Sequence, residues 1–172
     1  SVWDDGYGIS VPSKYQTTKE SISEVLNGFQ RDEDNPGYEI FRVKGWDYPS
    51  LIETYQKAEK IAREEHVPCL IHVMEMTQPQ GHSTSGSHER YKSKQRLKWE
   101  TDFDPIKKMG DWIVETGISS QEDIDLIMSE AKKTVRLQKA EAWNAYLNPI
   151  KQEQQQVLSL MRKIADDSSN KV

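Results

Sequence analysis

The run Cys69-Leu70-Ile71-His72-Val73-Met74-Glu75 constrains the fold most. It is short and apolar, as in a buried strand, and it gives way at Thr77 to a polar stretch that reaches Arg96. A compact domain seldom keeps about twenty residues with so little to bury unless it uses them. This stretch carries His82, His88, the hydroxyl cluster Ser83-Thr84-Ser85 and several cations straight after a strand, where parallel sheets collect their ligands. A solvated, Ser- and Gly-rich loop with no chemical duty is the plain alternative.

The residues before this run alternate in kind. Ser1-Val2-Trp3 is strand-like and meets the turn Asp4-Asp5-Gly6-Tyr7-Gly8. Thr18 then caps an expected helix on which Ile22, Val25, Leu26 and Phe29 fall at i, i+3, i+4 and i+7, with Gly28 near its end. Asn35-Pro36-Gly37 marks a turn, and Tyr38 to Val43 alternates as a strand closed by Gly45. Pro49 suits a first helical turn, and Leu51, Ile52, Tyr55, Ala58, Ile61 and Ala62 keep helical spacing until His66 and Pro68.

Strand, helix, strand, helix, strand in this order predicts an α/β fold, a partial doubly wound parallel sheet with crossover helices. Three strands are few for a sheet whose faces are normally covered, so more of it is expected outside this chain. The carboxyl-terminal region reads as helical: Phe103 to Glu115, Ser119 to Leu147 opened by a Ser119/Glu122 capping box, and Ile150 to Ala165. The expected organisation is the α/β part at 1–102 with the loop 77–96, a helical extension at 103–165, and a linker or cut end at 166–172.

The formal net charge of −5 is spread along the 172 residues, which argues against a general nucleic-acid binder. No run approaches the eighteen or so apolar residues of a membrane span, and no charged leader precedes an apolar signal core. Neither a nucleic-acid nor a membrane partner is expected, and the default location is cytoplasmic. Cys69 is the single cysteine and sits inside an apolar run, which suits a structural buried thiol and rules out an intrachain disulfide.

Spacing tests the generic site chemistries. His72, His82, His88 and Cys69 do not match compact zinc-ligand patterns, and His72 reads as a strand histidine facing the core or its edge. His82-Ser83 lacks a Gly-x-Ser-x-Gly elbow, so a serine hydrolase is not expected. Asp4-Asp5-Gly6 suits either a plain turn or a site for a hard cation such as magnesium beside a phosphorylated ligand. Arg90, Lys92, Lys94, Arg96 and Lys98 form a basic run that reads as a solvated face or as a reader of phosphate or an acidic partner.

Two segments also carry a resemblance. Trp3-Asp4-Asp5-Gly6-Tyr7-Gly8-Ile9-Ser10-Val11-Pro12 resembles the end of the thiamine-diphosphate motif in alpha chains of 2-oxoacid dehydrogenases, Asn-Asn-Gly-Tyr-Ala-Ile-Ser-x-Pro, which a Gly-Asp-Gly precedes. Gly81-His82-Ser83-Thr84-Ser85 resembles that family's active-site loop, His-Ser-x-Ser followed by Tyr-Arg or Tyr-Lys, here Tyr91-Lys92. The resemblance runs over roughly Ser1 to Leu147, is specific in these two motifs, and favours the branched-chain type. It extends to bacterial enzymes in which alpha and beta chains are fused.

The resemblance implies a fold of the thiamine-diphosphate-binding type, with thiamine diphosphate and Mg2+ as cofactors. Asp5 falls at a magnesium-binding asparagine and Tyr7 at a backbone-carbonyl ligand; Asp5, Gly6, Tyr7, Ile9 and His82 are the implied cofactor contacts. Aspartate keeps the hard oxygen and adds a negative charge. His82 aligns with a catalytic histidine that assists acyl transfer to lipoamide, while His88 lies six residues further into a segment expected to be solvated. Ser83, Ser85, Arg90 and Tyr91 belong to the implied active-site loop; Ser83 and Ser93 fall at or near serines that kinases modify in mitochondrial relatives, and Gln78 and Gln80 replace an arginine and a histidine.

The implied function is part of the decarboxylating component of a 2-oxoacid dehydrogenase complex, which reductively acylates lipoyl groups. The implied partners are a beta chain or fused beta half and the lipoyl domain of the acyltransferase component, within an oligomer. The glutamate that activates the cofactor belongs to the beta chain in that family, so this chain alone is expected to be inactive. A reading of another class is a noncatalytic docking module that binds a lipoyl-bearing or other acidic partner through its basic, Ser-rich loop.

Overall fold

The computed structural model describes residues 1–78 and 87–169. The chain divides into two compact units, Ser1–Ile118 and Ser119–Val172.

In the first unit, β1 (Val2–Trp3), β4 (Glu39–Lys44) and β5 (Cys69–Met74) form a parallel sheet in the order β1-β5-β4. Val2 stands opposite His72 and Trp3 opposite Val73, and on the other side Glu39 to Lys44 runs in register with Cys69 to Met74. Ile71, His72 and Val73 are all buried. Successive side chains point to opposite faces, so both faces of β5 are covered, which is why its sequence does not alternate. Val43, Ala58, Ile71 and Val73 form the core, with Phe41, Leu51, Tyr55, Cys69 and Met76 packed against it. The expected α/β class and parallel sheet are therefore present.

The helix α3 (Tyr48–Lys60) covers this core. The Asp47 side chain caps it, accepting from Ser50 N at 3.2 Å and Ser50 Oγ at 2.8 Å, and Pro49 lies in the first turn. A wider π turn, Ile61–Glu65, ends at His66, whose φ of 56° is left-handed.

Two departures from the sequence reading reshape the first unit. The single helix expected after Thr18 is broken into a 3-10 turn (Thr18–Glu20), a short helix α2 (Ile22–Val25) and a second 3-10 turn (Leu26–Phe29), with Lys19 and Glu20 at positive φ. Ser23 is fully buried while Val25 and Phe29 are exposed. Polar contacts of Ser23, described below, have overridden the apolar stripe. At the other end, the loop expected to reach Arg96 becomes a 3-10 turn (His88–Arg90) and then a helix, α4 (Lys94–Asp102), because Ser93 Oγ accepts from Arg96 N at 3.1 Å and caps it. The helix α5 (Pro105–Glu115) follows, capped by Asp104. A small antiparallel pair, β2 (Tyr7–Gly8) with β3 (Val11–Pro12), and the short helix α1 (Ser13–Gln16) complete the unit.

The second unit is a helix, α6 (Gln121–Ser169), that runs through Pro149. The expected break between Leu147 and Ile150 is thus absent, and the helix continues as far as Ser169 into the segment expected to be a linker or cut end. Proline already has a helical φ, and on an exposed helix the carbonyl that it leaves without a donor is open to water. The capping box is also shifted by one residue: Ser120 Oγ accepts from Asp123 N at 3.1 Å, and Asp123 Oδ2 accepts from Ser120 N at 3.3 Å. Among the described residues no helix is long and apolar enough to cross a membrane.

Candidate functional site

The carboxyl end of β1 runs straight into two consecutive aspartates. Asp4 remains tied to the central strand through its backbone, donating to Val73 O at 2.8 Å and accepting from Met76 N at 3.0 Å. Its side chain closes a turn by accepting from Gly6 N at 2.7 Å, and Asp5 does the same for Tyr7 N at 2.9 Å. Gly6 has a φ of +80°, a conformation that favours glycine. Ile9, at φ 62° and exposed, sits at the tip of the hairpin between β2 and β3.

A second layer holds this turn from α4. Arg96 donates from one terminal nitrogen to the Asp5 carbonyl at 2.7 Å and from Nε to Glu100 Oε1 at 2.8 Å. Glu100 is buried and also accepts from Lys92 Nζ at 2.8 and 2.9 Å. Both cations lie over the Tyr7 ring, Lys92 Nζ at 5.0 Å and the Arg96 guanidinium carbon at 5.5 Å from its centre, and the Tyr91 ring packs against it at 5.8 Å. The basic run is therefore not wholly a solvated face: Lys92 is buried and paired, because Glu100 lies one turn beyond Arg96 on the same face of α4.

Asp5, Gly6 and Tyr7 thus share one turn, Tyr91 reaches it, and Arg90 is exposed in the preceding 3-10 turn. His82, Ser83, Ser85 and Gln80 lie outside the described residues. His88, expected in solvent, is instead largely covered, with a side chain 13% exposed that lines a cavity of about 460 Å³ with Glu89, Leu97, Glu100, Thr101 and Asp104. Its carbonyl accepts from Lys92 N at 2.9 Å, which draws it inward with the buried lysine.

His72 lies on a strand and faces the core, as its sequence suggests, but its partners were invisible to the sequence reading. His72, 1% exposed on the central strand, bonds Asp4 Oδ2 through Nε2 at 2.9 Å and Ser23 Oγ through Nδ1 at 2.8 Å. Ser23 Oγ accepts from Arg42 Nε at 2.8 Å. These partners lie 68 and 49 residues from His72 in sequence, so no local spacing announces them.

Beyond the same sheet edge, Trp46 Nε1 donates to Glu75 Oε2 at 2.7 Å, and Lys44 pairs with Glu75 at 3.2 Å. Among the described residues no cluster of three or more His, Cys, Asp or Glu side chains is arranged to hold a metal. What the edge offers is a pair of hard oxygens, the Asp5 carboxylate and the backbone beside it, with a guanidinium next to them. This defines an α/β domain in which one parallel strand, β1, ends in a polar, glycine-containing turn.

The chain belongs to the dehydrogenase E1 component family, whose model matches residues 2–151. It is 31% identical over 132 residues to the mitochondrial 2-oxoisovalerate dehydrogenase subunit alpha of Dictyostelium discoideum, a match over 76% of this chain and 28% of that one. It is 30% identical over 111 residues to the mitochondrial 2-oxoisovalerate dehydrogenase subunit alpha 1 of Arabidopsis thaliana, covering 62% and 23%. To the pyruvate dehydrogenase E1 component subunit alpha of Rickettsia bellii it is 24% identical over 119 residues, covering 69% and 36%. The matched part is thus about a quarter to a third of the length of these relatives. No solved structure gives a significant match. The expected resemblance to 2-oxoacid dehydrogenase alpha chains is thus met by this family and by these relatives.

Proposed function

We propose that this chain supplies the magnesium- and diphosphate-holding turn of a thiamine-diphosphate-dependent 2-oxoacid dehydrogenase of branched-chain type, whose assembled form cleaves a 2-oxoacid and passes the acyl group to lipoyl groups. The observation that carries the reading is the Asp4-to-Tyr7 turn at the carboxyl end of β1, held from α4 by Arg96.

The donor chemistry fits. The Asp5 carboxylate and the Tyr7 carbonyl are hard oxygens of the kind magnesium takes, and these are the groups that would hold it. The Arg96 charge beside the turn suits a diphosphate. When bound, thiamine diphosphate would supply the carbon nucleophile for the oxo group and the electron sink for the electrons left when carbon dioxide departs from the substrate. Asp5 binds the metal, Gly6 keeps the turn tight, and Tyr7 contributes its carbonyl with its ring fixed between Lys92, Arg96 and Tyr91. His82 holds and hands over a proton, a task that imidazole suits near neutral pH. A beta chain or fused beta half and a lipoyl domain complete the working assembly.

Calorimetric titration with magnesium thiamine diphosphate tests the placement. Binding is expected to be weak or absent for this chain alone, tight for the assembled enzyme, and lost in the assembled Asp5→Ala variant. Tight stoichiometric binding by the chain alone, or an Asp5→Ala enzyme that binds normally, puts the diphosphate site elsewhere.

A further inference from the structure

The imidazole of His72 is buried on the middle strand with both nitrogens in use. Ser23 Oγ already accepts from Arg42 Nε at 2.8 Å, so its own hydrogen goes to one of two neighbours, His72 Nδ1 at 2.8 Å or Ser21 Oγ at 3.2 Å. An ionised carboxylate only accepts, so the Asp4 contact calls for a proton on Nε2, and in the neutral ring Nδ1 is then left to accept from Ser23 Oγ. Nε2 donates to Asp4 Oδ2 at 2.9 Å. A directional chain results, from Arg42 through Ser23 and His72 to Asp4.

Serine, histidine and aspartate in contact invite a nucleophilic reading, which the geometry excludes. Ser23 is 0% exposed, and its oxygen is filled by the Arg42 and His72 contacts, leaving no approach for a substrate. The carboxylate end of the chain faces the turn instead. Asp4 Oδ1 accepts from Gly6 N at 2.7 Å while Oδ2 is held by His72, so the two oxygens link the central strand to the bend that presents Asp5.

We infer that His72 is a positioning residue for the metal- and diphosphate-binding turn, acting through the Asp4 carboxylate. This rests on the function proposed above. The backbone of Asp4 is fixed by its bonds to Val73 and Met76, which leaves rotation of its side chain as the remaining freedom. His72 removes that freedom. A carboxylate released from Nε2 turns away, Gly6 N loses its acceptor, and Asp5 no longer points in one direction.

Two amide variants separate positioning from bulk packing, because the glutamine side-chain N–H reaches the place of Nε2 whereas asparagine reaches only that of Nδ1. In the full chain, His72→Gln is expected to keep Gly6 amide exchange within about twofold of the parent, while His72→Asn speeds it about tenfold or more with Val43 and Val73 amides unchanged. In the assembled enzyme, His72→Asn is expected to weaken magnesium thiamine diphosphate binding about tenfold, and His72→Gln to restore it. Equal Gly6 exchange in the two variants overturns the proposal. So does a neutral His72 in the parent chain with its proton on Nδ1, seen in nitrogen-15 spectra, a readout that survives if neither variant folds. If the parent assembly fails to bind the cofactor, the functional reading falls, while the exchange comparison and the tautomer still decide the role of His72.

Discussion

Arg96 donates to the Asp5 carbonyl at 2.7 Å across 91 residues of sequence. The same guanidinium holds Glu100, so one planar group ties α4 to the turn behind β1. A lysine ammonium is a point charge without that fork and cannot reproduce both bonds in the same directions. Arg96→Lys is expected to weaken magnesium thiamine diphosphate binding by the assembled enzyme about tenfold, about 1.4 kcal/mol, with α4 intact by circular dichroism. Unchanged affinity in calorimetry would show that the Asp5 carbonyl needs no such anchor.

Lys92 and Glu100 have side chains 2% and 3% exposed, and removing Glu100 leaves the Lys92 charge buried without its carboxylate. Glu100→Leu is expected to cost about 3–5 kcal/mol in urea unfolding, whereas the Lys92→Met, Glu100→Leu pair recovers most of that loss. A double variant as unstable as Glu100→Leu alone would contradict this account.

Gly45 follows β4 at a close approach. A Cβ there would lie 2.1 Å from Met76 Sδ and 3.4 Å from Met74 O. Gly45→Ala is expected to destabilise the chain by about 1–3 kcal/mol through overpacking. Combined with Met76→Ala, the total loss should fall short of the sum of the two single losses, because the shorter side chain vacates the contested space. Strict additivity would place the strain in the backbone.

His82 and His88 should differ in kind. In the assembled enzyme, His82→Ala is expected to slow reductive acylation in single-turnover assays with a lipoyl domain far more than it weakens cofactor binding. His88→Ala removes a largely covered ring beside Glu100, and is expected to lower thermal stability with acyl transfer near normal. Near-normal transfer in both variants would leave His82 without a chemical duty.

The start of α6 gives a pH prediction. The Ser120 hydroxyl, with help from Ser119, holds the Asp123 carboxyl below its ordinary value. A lowered folded value means that the contribution of Asp123 is present above the ordinary aspartate value of about 3.9 and is lost as pH falls through the folded value. Carboxyl carbon shifts and exchange at the first amides of α6 should therefore change together, below the ordinary range. A titration midpoint at or above that range would refute the capping box.

Much of this architecture was legible because it rests on local periodicity. The strands around Phe41 and Ile71 and the helix carrying Ala58 appear within a residue or two of their expected ends, where apolar side chains pack into one core. The reading failed where a buried polar group set the conformation. Ser23, drawn toward His72 and Arg42, broke a helix that Ile22, Val25, Leu26 and Phe29 had promised. The Asp5-Gly6-Tyr7 turn was legible from its residue types. The contacts that hold it were hidden, because His72 and Arg96 reach it from distant parts of the chain, although Ser93 as a cap and the four-residue spacing of Arg96 and Glu100 were available signals for α4.

The pairing of β1 with β5 also fixes a timetable. Val2 and Trp3 find their neighbours in His72 and Val73, and Asp4 is fastened by Val73 and Met76. During synthesis Val2 and Trp3 therefore leave the ribosome long before His72 and Val73, since a non-local parallel pair cannot close until its second strand has emerged. The Asp4-Asp5-Gly6 bend is made early as sequence and late as structure. A nascent chain stopped short of Met76 would carry the residues of the site without its shape.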